Sequence, residues 1–330
     1  MKIKLKKFFY KHKIISITAV FLIFALLFFT ALDLSTYIPM HMKNNQSINS
    51  FGSAKSKVYV QKTKEDIIDN TLSYYKNILE NNNTYVVDGF EITVFLSKDN
   101  KLIVSQSSLL DDFTDCRENP FNQKNVSISS KTIGELKQYN AGYYLNAKDG
   151  YPYRKSGMDL SYYRIITLDE LIVYLNTQSV DWKKPFNLII NIGDKNNLDG
   201  AITELSNVLS EYNHTKYSVV ITKSNSMIKM LDRYPEIQRT ASYIEVINFY
   251  YKAAFFINNP VISYDILYLE PYFCGINFCK DRFTNYAKYC NIPIVFKDVN
   301  TTKKIQRIAL KKPDGIAGFS PKEIFLETIK

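Results

Sequence analysis

Histidine is scarce: there are three in 330 residues. His12 lies in a basic N-terminal tail, His41 in a polar stretch after the first apolar run, and His214 between two regular elements. The imidazole pKa of about 6.5 makes histidine the usual carrier of protons near neutral pH. Chemistry that needs two histidines in one folded site is therefore excluded. The four cysteines, Cys116, Cys274, Cys279 and Cys290, form no Cys-x-x-Cys spacing and have no histidine nearby, so no zinc site is expected. No Gly-x-Gly-x-x-Gly turn supports an open dinucleotide-binding sheet. After the N-terminus no run of Lys or Arg interleaved with aromatics occurs, so no nucleic-acid partner is expected.

Charge is also missing where it matters. Six lysines, at positions 2, 4, 6, 7, 11 and 13, precede the first acid and account for much of the net charge of +10. The rest of the chain carries only about +4. Ile14 to Leu32 is then uncharged, and 19 residues of helix span about 28 Å, the thickness of a bilayer core. A cleaved signal peptide is the rival reading, but the run is long for one, its Thr30-Ala31-Leu32-Asp33 end is a poor cleavage site, and no cysteine follows to take a lipid. The chain is expected to have a cytoplasmic basic tail (1–13), a single-pass membrane anchor (14–32), a linker (33–57) and an extracytoplasmic folded domain (58–330). On that side of the membrane one or two disulfides are possible among three pairings.

What is present is a repeating pattern. From about residue 58, strand-like runs alternate with helical ones: strands near 58, 90, 187, 217, 242, 265, 293 and 315, with a strand expected over 242–247. Thr63 with Asp66 starts the first helix, Thr132 another, and Thr167 caps one running to about 176. The one short return is the hairpin at 88–106. There Phe90, Ile92 and Val94 alternate with Glu91 and Thr93, and Asp99-Asn100 makes the turn, so 102–105 runs antiparallel. Eight strands with intervening helices in about 270 residues imply an α/β fold, a (β/α)8 TIM-type barrel. In such a barrel His214 falls on the bottom face, away from the catalytic loops. The aromatic run 249–256 reads as packing under a loop.

Several stretches resemble the glycerophosphodiester phosphodiesterases, which are (β/α)8 barrels. Asp69-Asn-Thr-Leu72 is similar to their Glu-Asn-Thr-Leu helix start, and Gly89-Phe-Glu-Ile-Thr-Val-Phe-Leu-Ser-Lys-Asp99 to their Glu-x-Asp strand and turn. Ile166-Thr-Leu-Asp-Glu-Leu171, Val219-Val-Ile-Thr-Lys-Ser-Asn225 and Asp314-Gly-Ile-Ala-Gly-Phe-Ser-Pro321 resemble later segments in the same order. The resemblance implies phosphoric diester hydrolysis with a histidine pair, a divalent cation held by carboxylates, and basic residues on phosphate. Here the His-Arg-Gly motif falls on Gln61-Lys62-Thr63, Glu-x-Asp on Glu91 and Thr93, the second histidine on Gln106, and Glu-x-Lys on Asn191 and Gly193. Only Glu91 keeps its identity and Lys62 its charge.

No catalytic residue is expected from this set. Gln61, Lys62, Glu91, Gln106 and Asn191 are the expected ligand pocket, and Glu91 is the one residual metal ligand, for Mg²⁺ or Ca²⁺ if the domain is active. The expected function is a pseudoenzyme that binds a phosphodiester, lipid headgroup or envelope glycan. The alternatives are an active phosphodiesterase with a rearranged site and a structural envelope protein without a ligand.

Overall fold

The computed structural model describes residues 55–61, 71–81, 87–118, 120–144, 150, 152–154, 161–182, 185–194, 196–258, 260–273 and 275–329. The expected tail, anchor and most of the linker, and the helix start at Thr63, lie outside them. Among the described residues no helix is long and apolar enough to cross a membrane.

The strands are β1 (Lys57–Val60), β2 (Gly89–Leu96), β3 (Leu102–Val104), β4 (Asn187–Ile192), β5 (Ser218–Val220), β6 (Gln238–Arg239), β7 (Leu267–Leu269), β8 (Tyr272–Phe273), β9 (Ile276–Asn277), β10 (Ile294–Phe296) and β11 (Gly315–Gly318). Hydrogen-bonded neighbours run β6-β5-β4-β2-β1-β11-β10-β7, every pair parallel. A parallel bridge between Thr240 and Ile266 joins the two ends of this run, so eight strands form a closed ring. Against the ring, β3 pairs antiparallel to β2, as the short turn requires, and β8 and β9 form a separate antiparallel pair.

The pleat sorts the side chains into an inner and an outer set. Tyr59, Ile189, Val219, Ile266, Tyr268, Val295 and Ala317 come from six strands and fill the barrel. Their neighbours Phe90, Ile92, Leu188 and Ile190 point outward and pack on α1 (Leu72–Asn81), α3 (Leu168–Trp182) and α4 (Leu198–Glu211). A second outer layer packs α6 (Tyr243–Phe255), α7 (Asp281–Tyr289), α8 (Thr302–Ala309) and α9 (Pro321–Thr328) on β7, β10 and β11. Helix α5 (Asn225–Leu231) closes the β5–β6 crossover. The bottom rim is pinned by one repeated device. Asp88, Asp265 and Asp314 each stand just before a strand and accept the backbone N–H of Val58, Arg239 and Ile294 on the preceding strand, at 2.8, 2.8 and 2.9 Å.

Helix starts follow the capping residues. Thr132 and Glu135 form a capping box at α2 (Ile133–Leu136), and Thr301 caps α8. Helix α3 runs past the expected end near 176, to Trp182. The expected strand at 242–247 is instead the start of α6: Ser242 accepts from the Glu245 N–H and Glu245 accepts from the Ser242 N–H. Ile244, Val246 and Ile247 suggest a strand by their branching, but the Ser-x-x-Glu cap decides the outcome, and the actual sixth strand is the two-residue Gln238–Arg239. The aromatic run belongs to α6, with Phe249 and Tyr250 buried and Phe255 exposed. The disulfide expectation is corrected for three cysteines: Cys116, Cys279 and Cys290 are free, and Cys274 lies outside the described residues.

His214 sits at the bottom of β5, 2% exposed, with Nδ1 2.9 Å from the Ser218 hydroxyl. Burial pushes its pKa down to about 4, so the folded protein holds it neutral. Because the folded pKa lies below the unfolded value, its contribution is complete above about pH 6.5 and is lost as pH falls through 4. Between pH 7 and 4 the wild type should lose about 3 kcal/mol more stability than His214→Asn. Urea denaturation of both proteins at the two pH values measures this.

Candidate functional site

The C-terminal ends of the strands form the barrel mouth, where the parity of β1, β2 and β4 places Gln61, Glu91, Thr93, Asn191 and Gly193 on the lumen side. Gln61 is only 6% exposed. Its Nε2 donates to Glu91 Oε2 at 2.5 Å and lies 3.1 Å from the Tyr268 hydroxyl, and its Oε1 accepts the Asp298 N–H at 2.7 Å. Tyr268, from β7, also donates to Glu91 Oε2 at 2.5 Å. Burial, reinforced by the Glu91 charge, pushes the Tyr268 phenol well above its ordinary range, so it remains a donor. Gln61 thus ties β1 to β2, β7 and the loop after β10, and both ends of its amide are used. An amide so held has no proton to exchange with a substrate.

The next pair is equally inward-looking. Asn191 Nδ2 donates to Thr93 Oγ1 at 3.0 Å, which leaves Asn191 Oδ1 buried and without a partner among the described residues. Beyond it, a Cβ added to Gly193 would come within 2.3 Å of the Phe95 ring. Phe95 belongs to a separate apolar cluster with Ile103, Leu110, Phe113, Cys116 and Leu136, so the segment after the hairpin packs its core partly over the lumen. Within that segment the buried Asp111 carboxylate accepts from Arg117 Nε and the Asn125 and Val126 N–H groups, each at 2.9 Å. Burial pushes its pKa up, but these bonds outweigh that and hold it at about 2.

One expected pocket residue stands apart from the cluster. Gln106 is exposed where the hairpin returns and makes no hydrogen bond to the cluster among the described residues. Lys62 lies outside the described residues. Besides Tyr268, three residues not expected from the sequence reach the mouth: Glu270, Lys297 and Asp298, with Lys297 Nζ 3.8 Å from Glu270 Oε1, 3.6 Å from Asp298 Oδ2 and 5.9 Å from the Tyr268 ring centre. Alternation along Leu267–Tyr268–Leu269–Glu270 signals that Tyr268 and Glu270 share a face. It does not say that this face meets Glu91.

The donors suit a divalent cation poorly. Glu91 brings one carboxylate, with Oε2 already taken by two donors, and Thr93 and Asn191 bring neutral oxygens, whereas Mg²⁺ and Ca²⁺ favour several charged ones. Among the described residues no group of three or more His, Cys, Asp or Glu side chains is placed to hold a metal ion. What the arrangement offers is hydrogen bonding: an orphan amide oxygen, a threonine, a carboxylate and a lysine around one opening.

No family profile matches the sequence, and no curated protein does. Solved structures do match in shape. A glycerophosphodiester phosphodiesterase from Agrobacterium tumefaciens is 13% identical and covers 82% of this chain and 99% of its own, with a TM-score of 0.58. The glycerophosphoryl diester phosphodiesterase domain of a Mycobacterium tuberculosis protein is 17% identical, covering 81% and 97%, also at 0.58. A phosphodiesterase from Oleispira antarctica, in complex with the product sn-glycerol-3-phosphate, is 15% identical, covering 84% and 98%, at 0.59. The eight-stranded parallel ring described here, with its one antiparallel return after β2, is the fold of the glycerophosphodiester phosphodiesterases.

Proposed function

We propose that the chain is a divergent member of the glycerophosphodiester phosphodiesterase family whose barrel binds a phosphodiester, lipid headgroup or envelope glycan without hydrolysing it. An uncleaved anchor at 14–32 would hold the barrel outside the cell membrane, with the basic tail in the cytoplasm. The observation that carries the reading is Gln61. It occupies the position where the family's motif has histidine, and its amide is spent on Glu91, Tyr268 and Asp298. The product bound to the Oleispira antarctica enzyme supports a phosphate ester as the ligand class.

A second reading, an active phosphodiesterase, draws on Glu270 and Asp298, two carboxylates at the mouth beside Lys297. Assay of the full-length chain in neutral detergent, with glycerophosphodiesters and Mg²⁺ or Ca²⁺, separates the two. Each general acid or base is worth about 10² to 10⁴ in rate, so release of glycerol phosphate is expected at least ~10⁴-fold below that of a hydrolytic relative assayed in parallel. Turnover near the relative's, abolished by Glu91→Ala, would establish the active reading instead.

A further inference from the structure

Beside the lumen, on the same face of the barrel, a cavity of about 380 Å³ opens between the loop after β7 and the start of α8. That size admits a small phosphorylated molecule. One wall is cationic: Lys303, Lys304 and Arg307 project from the first two turns of α8. None of the three is in an ion pair among the described residues. The opposite wall carries Tyr272, and Arg307 stacks on it with its guanidinium carbon 5.0 Å from the ring centre. Two acids, Glu270 and Asp298, also line the cavity on its lumen side, and both are paired with Lys297, which leaves the three cations of α8 without a carboxylate partner. The free Cys279 thiol, 2% exposed, also lines the cavity and has no hydrogen-bond partner among the described residues.

This arrangement is unfavourable while the cavity holds only water. The N-terminus of a helix carries a partial positive charge, so acids stabilise the first turn and lysines destabilise it. The first turn of α8 contains no acid and two lysines. Nothing in its packing requires them, because the buried stripe of the helix is Ile305 and Ile308. An anion in the cavity would turn three repelling cations and a helix terminus into one favourable cluster. Phosphate is the matching anion, since it offers several acceptor oxygens and close to two charges, whereas a carboxylate has two oxygens and one charge.

We infer that this cavity is a phosphate-binding site, in which Lys303, Lys304 and Arg307 hold the phosphate of a phosphomonoester or of a lipid headgroup. The ligand class rests on the function proposed above; the location does not, because the lumen cluster of Gln61, Glu91 and Asn191 contributes nothing to it. Arg307, held on Tyr272, presents a fixed fork, and the two lysines supply charge.

The full-length chain in neutral detergent is titrated calorimetrically with sn-glycerol 3-phosphate, and its retention on phosphatidylcholine vesicles with and without phosphatidylglycerol is measured. Saturable binding of sn-glycerol 3-phosphate, or retention specific to phosphatidylglycerol, is expected in the wild type. Either should weaken about tenfold or more in Lys303→Ala/Lys304→Ala/Arg307→Ala and change less than about twofold in Lys229→Ala, which removes an exposed charge from α5, outside the cavity lining. Binding of the soluble ester alone identifies a free phosphate ester as the ligand, and vesicle retention competed by that ester identifies a lipid headgroup. The triple variant should keep or raise the melting temperature, because like charges have been removed from a helix start. If it binds as the wild type does while Glu91→Gln does not, the phosphate sits in the lumen, and this inference falls while the proposed function stands. If the wild type binds neither probe, this inference falls, and the proposed function is left with a glycan ligand in the lumen.

Discussion

Arg239→Met is expected to lower the free energy of unfolding by about 3 to 5 kcal/mol, enough to unfold a protein of ordinary stability. Arg239 belongs to β6, the shortest strand of the ring, and is 4% exposed. Its Nη1 donates to Glu245 Oε2 at 2.9 Å and its Nη2 to Glu245 Oε1 at 2.8 Å, a two-point fork that lysine could not reproduce. Nη2 also reaches the Ser263 hydroxyl at 3.1 Å. Glu245 in turn accepts the Ser242 N–H at 2.7 Å and so completes the cap of α6. Burial pushes the Glu245 carboxyl up, and the bonds from Arg239 and Ser242 outweigh that and hold it at about 2. Removing the guanidinium leaves this carboxylate charged and half-buried without its cation. The loss falls at the seam of the barrel, where Thr240 and Ile266 make the closing bridge. Arg239→Met/Glu245→Gln should recover a substantial part of the stability, because the uncompensated charge has gone. Guanidinium denaturation of the two variants decides the cause: a double variant no more stable than the single would show that the ion pair is not what closes the ring.

The same seam marks where the sequence was hardest to read. Strands such as β2 and β4 are long, apolar on one face and bounded by turn residues, so their period of two is plain. Gln238–Arg239 has two residues and no apolar alternation. It is a strand only because the ring supplies neighbours on both sides, and tertiary pairing of that kind leaves no local signal. The neighbouring Ile244, Val246 and Ile247 drew the strand assignment to themselves, although Ser242 and Glu245 carried the correct cap. In the site, Gln61, Glu91 and Asn191 were legible because they stand in recognisable motifs at strand ends. Tyr268, Lys297 and Asp298 were not. Tyr268 meets Glu91 and the Asp298 N–H meets Gln61 across more than 170 residues of chain, with Lys297 beside both, and closure of the barrel, not a motif, brings them there. Gln106 shows the converse error: a motif position can be assigned correctly in sequence and still point to solvent.

Gly193→Lys, which places at the end of β4 the residue of the Glu-x-Lys motif that this segment resembles, is expected to destabilise the fold by about 3 kcal/mol. The position faces the lumen at the end of β4, and its Cβ would stand 2.3 Å from the Phe95 ring. The ring has little room to withdraw, because it is packed among Ile103, Leu110 and Phe113 in the cluster that covers this side of the mouth. Phe95→Ala alone costs about 3 kcal/mol through the space it leaves. In that background the lysine side chain enters the vacated volume, so the double variant should be about as stable as Phe95→Ala, a coupling of more than 1 kcal/mol in a double-mutant cycle. If Gly193→Lys costs as much with Phe95 gone as with it present, the ring is not the obstacle. The expected coupling would mean that a lysine at 193 and the Phe95 ring exclude each other, so that the aromatic cover over this side of the lumen sets which side chains the end of β4 can carry.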